Sequence, residues 1–289
     1  MGAEPVTGDT IMICLTGDLH HSSLQTGNQQ HCDITELQTA RQYLDLLADA
    51  GVKVTFFISG KCFTEEPGDA VPIAAHPLVE VGGHNFDCFQ RELWHRVWNK
   101  LINSYNGPAW YQRRDARKTI DAIRSATDVR IQSWRNHMYM HGPYTERVLA
   151  QCGISVCSDG VRRDANGMTR HPAGIWDFPI NVMPDHEHLY HAERTREWVA
   201  WWQKRYNWSD DYGPDSYEIE EWTDRVLDEL RDHEERGVLS NMIVHPLTMY
   251  LCDRFESFKR ILAFLADHKT VHVSEVRARA DADVKGDAV

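Results

Sequence analysis

The sequence predicts an α/β fold, a closed or nearly closed (β/α) barrel of seven or eight strands. Three observations carry this expectation. Short apolar runs recur along the 289 residues, each bounded by polar turn residues, as in strands buried on both faces. Between them lie segments with apolar residues at helical spacing, the alternation that builds a parallel sheet. Finally, Asp, His or Arg stands at nearly every strand end, where such folds place their chemistry.

The elements follow in order. The apolar run 11–15 leads into Gly17-Asp18, with His20 and His21 directly after. Extended residues alternate faces, so Asp18 and His20 point one way and Leu19 the other. Asp33 and Glu36 have capping-box spacing, Leu37, Ala40, Leu44 and Leu47 form a helical stripe, and Gly51 stops it. Residues 53–58 form a second strand, completing a βαβ unit. A strand over 76–81 enters Gly82-Gly83-His84, a helix covers 109–126, and a strand over 129–134 ends at Arg135. A helix over 145–152, capped by Gly153, precedes a strand over 154–157 that ends at Ser158-Asp159. Residues 175–182 are extended, and helices span 193–206 and 218–235; Ile219, Trp222, Val226 and Leu230 form the stripe of the second.

A strand over 240–244 ends at His245-Pro246, and Asp253 with Glu256 repeats the capping pattern ahead of Phe255, Phe258, Leu262 and Leu265. A last strand covers 270–273. No repeat or linker divides the chain, so residues 1–276 read as one catalytic domain and 277–289 as a flexible tail.

Composition narrows the partners. A hydrophobic fraction of 42% is enough for a sizeable core. A net charge of −12 argues against nucleic acid or an anionic membrane surface and favours a neutral or cationic small ligand, or a glycan. The ten tryptophans and ten tyrosines suit sugar stacking, although most serve as core fillers. Seven scattered cysteines, never in a C-x-x-C pair, read as reduced thiols and not as a disulfide framework or a zinc ribbon. Residues 1–10 lack the basic and apolar regions of a secretory leader, and no window reaches the length of a membrane span. The expectation is a cytoplasmic protein.

The strand-end residues are Asp18, His20, His84, Arg135, Asp159 and His245. Singly, each is an ordinary cap or turn residue. Together, clustered His and Asp are the usual material of a hydrolytic metal site with an open coordination position.

At these residues the chain resembles the polysaccharide deacetylases, the NodB-homology group or carbohydrate esterase family 4. The matching pieces, in order, are Leu15-Thr-Gly-Asp18, Val54-Thr-Phe-Phe-Ile-Ser-Gly60, His76-Pro-Leu-Val-Glu-Val-Gly-Gly-His84, Trp134-Arg135 and Ile243-Val-His245-Pro246. The resemblance covers roughly residues 10–275. It implies a distorted (β/α) barrel and metal-dependent hydrolysis of N- or O-acetyl groups on a sugar or glycan precursor, with zinc the expected metal. It also suggests a place in surface-polysaccharide or O-antigen biosynthesis.

Two departures stand out. Such proteins carry adjacent aspartates after the first strand, but here Leu19 follows Asp18, leaving His20 as the substitute ligand. Their second motif places two histidines four apart, but here Cys88 stands four after His84. By resemblance, Asp18 is the base or a ligand, His20 and His84 are ligands, Arg135 orients the catalytic carboxylate and His245 is the general acid. His137 and Asp159 are candidate substrate-binding residues. His21, Asp87, Cys88, Asp185, His186 and His188 remain alternative ligands, the last three within a dense acid–histidine patch that extends to His191. The competing expectation is a diverged barrel that binds a glycan or a metal without hydrolysing it.

Overall fold

A computed structural model describes residues 11–286. Residues 1–10, read above for a leader, and residues 287–289 lie outside the described residues. The chain runs β1 (Met12–Leu19), α1 (Gly27–Gln30), α2 (Glu36–Ala50), β2 (Val54–Ile58), α3 (Cys62–Glu65), α4 (Pro67–Ala74), β3 (Val79–Gly83), α5 (Glu92–Ile102), α6 (Ala109–Thr127), β4 (Ser133–Trp134) and α7 (Thr145–Gln151). It continues through β5 (Val156–Cys157), β6 (Thr169–Arg170), β7 (Trp176–Asp177), α8 (Asp185–His188), α9 (Arg196–Tyr206) and α10 (Ile219–Arg236). It closes with β8 (Ser240–Ile243), α11 (Pro246–Asp253), α12 (Glu256–Ala266), β9 (Lys269–Thr270) and α13 (Val273–Gly286).

The strands form one curled sheet in the order β6-β7-β5-β4-β3-β2-β1-β8, with β9 beside β1. Every strand pairing is parallel except β6 with β7. The result is a distorted (β/α) barrel. At its seam Asn181 N–H donates to the Asn241 carbonyl, Asn241 N–H donates to Asn181 Oδ1, and Asn241 Nδ2 donates to the Phe178 and Pro179 carbonyls. Side-chain amides thus replace the strand ladder where the barrel does not close, keeping buried backbone groups paired.

Burial on both faces holds β1 at the centre: Ile13, Leu15 and Leu19 are fully buried, each worth roughly 1.5–3 kcal/mol. The register levels the strand ends, pairing Leu19 with Ile58, Ile58 with Gly83, Gly83 with Trp134, and Trp134 with Cys157. The next residue of each strand therefore falls in one row along the carboxyl edge: His20, Ser59, His84, Arg135 and Ser158. Gly83 makes this possible, because a Cβ there would come within 2.4 Å of the Trp134 ring.

Several expectations change. The cap of α2 is Thr35 with Gln38, not Asp33 with Glu36, which frees the Glu36 carboxylate for another task. The N-cap position of α12 is Phe255; Asp253 reaches past it and accepts from Ser257 N–H at 2.9 Å. β4, β5 and β7 are two residues each, shorter than their apolar runs suggest. The last strand is likewise confined to Lys269–Thr270, and the region read as a tail from 277 continues as helix α13. Helices α1, α3, α4, α5, α8 and α11 were not expected.

Candidate functional site

Three imidazoles meet at the carboxyl edge of the sheet. His20 Nε2 lies 3.1 Å from His84 Nε2 and 3.1 Å from His137 Nδ1, and His84 Nε2 lies 3.4 Å from His137 Nδ1. His20 and His84 extend directly from β1 and β3. His137 sits on a short turn after β4, in which Met138 has φ 55°. That turn is fastened on both sides. His137 N–H donates to Asn85 Oδ1 at 2.9 Å, and Asn85 Nδ2 donates to Asp115 at 2.9 Å. Asn136 N–H donates to Asp159 Oδ1 at 2.7 Å, and Asn136 Nδ2 donates to Asp159 Oδ2.

Hydrogen bonding fixes the tautomers. His84 Nδ1 lies 2.8 Å from the Arg135 carbonyl, and His20 Nδ1 lies 2.8 Å from Glu36 Oε1. A carbonyl and a carboxylate can only accept, so both Nδ1 atoms carry the proton. In the neutral rings both Nε2 atoms are then lone pairs, facing each other at 3.1 Å with no proton to share. Burial pushes His84 well below the usual histidine value and keeps it neutral. Glu36, fully turned to this task, also accepts from His20 N–H at 3.0 Å and Gln29 Nε2 at 2.9 Å.

Such opposed lone pairs suit a cation. Nitrogens bound to one tetrahedral zinc at about 2.0–2.1 Å lie about 3.3 Å from each other, and the observed separations bracket that value. Each of two rings is held from behind by an acceptor, a carboxylate for one and a backbone carbonyl for the other, the usual outer support of metal-binding histidines. Cys88 joins them in a group whose ligand atoms all lie within 4.8 Å of one another. Its Sγ donates to the His84 carbonyl at 3.4 Å, and burial pushes its thiol well above the usual range.

Asp18 is outside that group. Its Oδ1 accepts from Arg135 Nη1 at 3.0 Å, and its Oδ2 lies 3.8 Å from His84 Nδ1 and 3.9 Å from His245 Nε2. Arg135 is fully buried and makes three further hydrogen bonds: Nη1 also donates to Thr16 Oγ1, Nε to the Ser158 carbonyl and Nη2 to Ser158 Oγ. His245 stands at the N-cap of α11. Asp185 grips it twice, Oδ2 accepting from His245 N–H and Oδ1 lying against Nδ1, both at 2.7 Å. Burial opposes a charge on His245, but Asp185, with smaller help from Asp18 and Glu187, outweighs burial and pushes it up to about 9. A cationic imidazole, His245, and a neutral one, His84, thus flank the Asp18 carboxylate at neutral pH.

The remaining candidates fall into place around this centre. The Asp159 carboxylate holds the Asn136 backbone and side chain and takes Cys157 Sγ at 3.3 Å. His137, expected among substrate contacts, lies in the imidazole group instead. His21 turns into the interior against Ser59 Oγ at 3.1 Å. His188 is committed to Asp210 at 3.0 Å and to the Asp215 carbonyl at 2.7 Å. The His186 ring lies 5.8 Å from that of His245, whereas Asp87 is outside the imidazole group. Glu36 and the pairing of Asp185 with His245 escaped the sequence reading. Neither has a local signal, since the partners are 16 and 60 residues apart.

Residues 32–157 match the sequence model of the family described as polysaccharide deacetylase. That stretch contains Glu36, His84, Cys88, Arg135 and His137, and excludes Asp18, His20, Asp185 and His245. No curated protein matches the sequence significantly. Among solved structures, a protein from Mycobacterium smegmatis provisionally assigned as a polysaccharide deacetylase superposes with TM-score 0.68 at 16% identity, over 98% of this chain and 93% of that one. The PuuE allantoinase superposes with TM-score 0.65 at 11% identity, over 94% and 90% of the two chains. A carbohydrate esterase family 4 pseudoenzyme from Bacillus anthracis does so with TM-score 0.52 at 14% identity, over 93% of this chain and 66% of that one. At these identities the superpositions speak for the fold. Among the described residues no helix is long and apolar enough to cross a membrane. Residues 32–157 are thus similar to the polysaccharide deacetylase family, and the chain has the barrel fold that these solved structures share.

Proposed function

We propose that the protein is a metal-dependent hydrolase that removes an N- or O-linked acetyl group from a sugar or glycan precursor. The observation that carries this reading is the pair of imidazole lone pairs facing each other at 3.1 Å, set beside a buried carboxylate and a cationic imidazole. The polysaccharide deacetylase match supports an acylated carbohydrate as the substrate.

His20, His84 and His137 would hold the cation, with Cys88 the further group in reach. Three nitrogens at these separations favour zinc over calcium or magnesium, which take oxygen ligands. A divalent ion in such a site supplies Lewis acidity toward the acyl carbonyl and toward water. The chain's own residues then manage protons and position. Asp18 takes the proton from the attacking water, and Arg135 holds its carboxylate in one orientation. His245 holds the proton destined for the leaving amine or alcohol, and Asp185 fixes the ring's tautomer through Nδ1. Asp18 and His245, 3.9 Å apart with Arg135 fully buried behind the carboxylate, are charged groups pre-set for a transition state that gains charge.

The test is acetate release from an N-acetylated amino sugar and an O-acetylated sugar, with zinc supplied. Asp18→Asn should abolish release while the circular dichroism spectrum stays unchanged. Near-wild-type release in that variant would reject Asp18 as base. Metal binding with no acetate release from wild type would favour the diverged, non-hydrolytic barrel.

A further inference from the structure

Exposed apolar side chains concentrate around two helices. Among the described residues nine large ones stand exposed, and all but Val284 belong to α5, α9, the start of α6 or the turn that carries His137. On α5 they are Leu93 and Leu101, each 74% exposed, with Trp94 and Val97. At 3.6 residues per turn these four occupy an arc of about 100°, which a surface helix ordinarily buries. The helix cannot roll that arc inward, because its other side is anchored. His95 is fully buried, its Nδ1 donates to the Tyr105 carbonyl at 2.7 Å, and Trp98 packs on Tyr111 with ring centroids 4.6 Å apart. Trp201 and Tyr206 continue the exposure on α9. Tyr206 lies near enough to Arg96 of α5 to favour its charge, so the two helices are neighbours. Met138, 49% exposed, directly follows His137 and ties the patch to the imidazole group. An exposed apolar patch of this kind marks an interaction surface.

Charge selects the occupant. The chain as a whole carries 43 acidic against 31 basic residues, but these two helices reverse the balance. On α5, Arg96 and Lys100 border the apolar arc, and Glu92 is the one acid. On α9, Arg196, Lys204 and Arg205 stand against Glu197 alone, and Trp201 is a surface neighbour of both Lys204 and Arg205. Trp, Tyr and Leu edged by Lys and Arg are the make-up of helices that lie in a membrane interface, with the basic groups toward anionic headgroups.

We propose that α5 and α9 dock the protein on a bilayer that contains anionic lipid. A sugar chain would stack on the aromatic rings but would leave Leu93, Val97 and Leu101 without a partner. A second copy would bring the same basic groups face to face. The net charge of −12, read from the whole chain, does not decide the matter locally. Screening limits each exposed charge to about 8–10 Å at physiological salt, and on these helices basic groups outnumber acidic ones.

The test needs neither substrate nor metal. In flotation, wild type should rise with vesicles of mixed phosphatidylcholine and phosphatidylglycerol and largely stay behind with phosphatidylcholine alone. Leu93→Asp/Leu101→Asp should stay behind with both, its circular dichroism unchanged. Trp201→Asp should do the same, which tests α9 apart from α5. Lys100→Gln/Lys204→Gln should weaken binding about fivefold for each charge removed. Wild type that stays behind with the anionic vesicles, full flotation of either aspartate variant, or flotation indifferent to phosphatidylglycerol would each overturn the proposal. So would a doubled mass by light scattering that Leu93→Asp/Leu101→Asp halves, or binding to insoluble chitin that the same substitutions abolish, with no flotation in either case.

Discussion

Asp185→Asn isolates the proton donor. The substitution keeps the size of the side chain and an acceptor oxygen for His245 Nδ1, now 2.7 Å away, and removes the charge together with the acceptor for His245 N–H. With that charge, His245 sits at about 9, against an ordinary 6.5. The difference of about 2.5 pH units is worth about 3 kcal/mol, of which Asp185 supplies the largest favourable share. Without it, burial acts on His245 with only Asp18 and Glu187 opposing, so the value falls toward the ordinary range. His245 must be protonated to act as an acid, and the alkaline limb of kcat/KM should therefore move to lower pH by more than one unit. At pH 8 a full return to 6.5 would leave roughly 3% of the group protonated and lower kcat/KM about 30-fold. The folded value is raised, so the stabilisation from this charge is fully present below pH 6.5 and lost as pH rises through about 9. Wild type should accordingly lose more urea stability between pH 6.5 and 9 than the variant does. The assay is acetate release across pH, paired with nitrogen-15 NMR titration of the histidines. An alkaline limb that stays in place in a folded Asp185→Asn protein would refute His245 as the donor.

Other outcomes follow from the same geometry. Glu36→Gln keeps an acceptor for His20 Nδ1 but removes its charge, so zinc affinity in a chelator competition should fall about 10–100-fold with the fold retained. Unchanged affinity would show that Glu36 does not support a ligand. Arg135→Ala leaves the Asp18 carboxylate buried without its partner and should cost about 3–5 kcal/mol in urea unfolding. A loss below about 1 kcal/mol would mean that Asp18 is not held as a charge.

Legibility divided along physical lines. Strand ends were readable because burial on both faces demands continuous apolar runs, as at 11–15 and 53–58, and the residue after each run is placed by the sheet itself. Asp18, His20, His84, Arg135 and His245 were placed at strand ends in this way. Residues brought in by tertiary contact were not. Glu36 looked like a capping acid, yet Thr35 and Gln38 make the cap and Glu36 turns to His20. Asp185 looked like part of a ligand patch, but Asp185 grips a residue 60 positions away. His137 depends on a turn with left-handed Met138 and Tyr139, backbone that no glycine announces. The same holds before α5, where Asn85, Cys88 and Phe89 all have positive φ. With three such residues in so short a stretch and no Gly or Pro there, the start of α5 at Glu92 carried no signal.

If His20, His84 and His137 form one metal site, metal content reports it without any substrate. Protein purified without a histidine tag and dialysed against trace zinc should carry one zinc per chain by mass spectrometry. Any one of His20→Ala, His84→Ala or His137→Ala should lose it, while His272→Ala, whose ring instead reaches the Leu78 carbonyl, should keep it. A zinc-free wild type, or zinc retained in all three variants, would contradict the account.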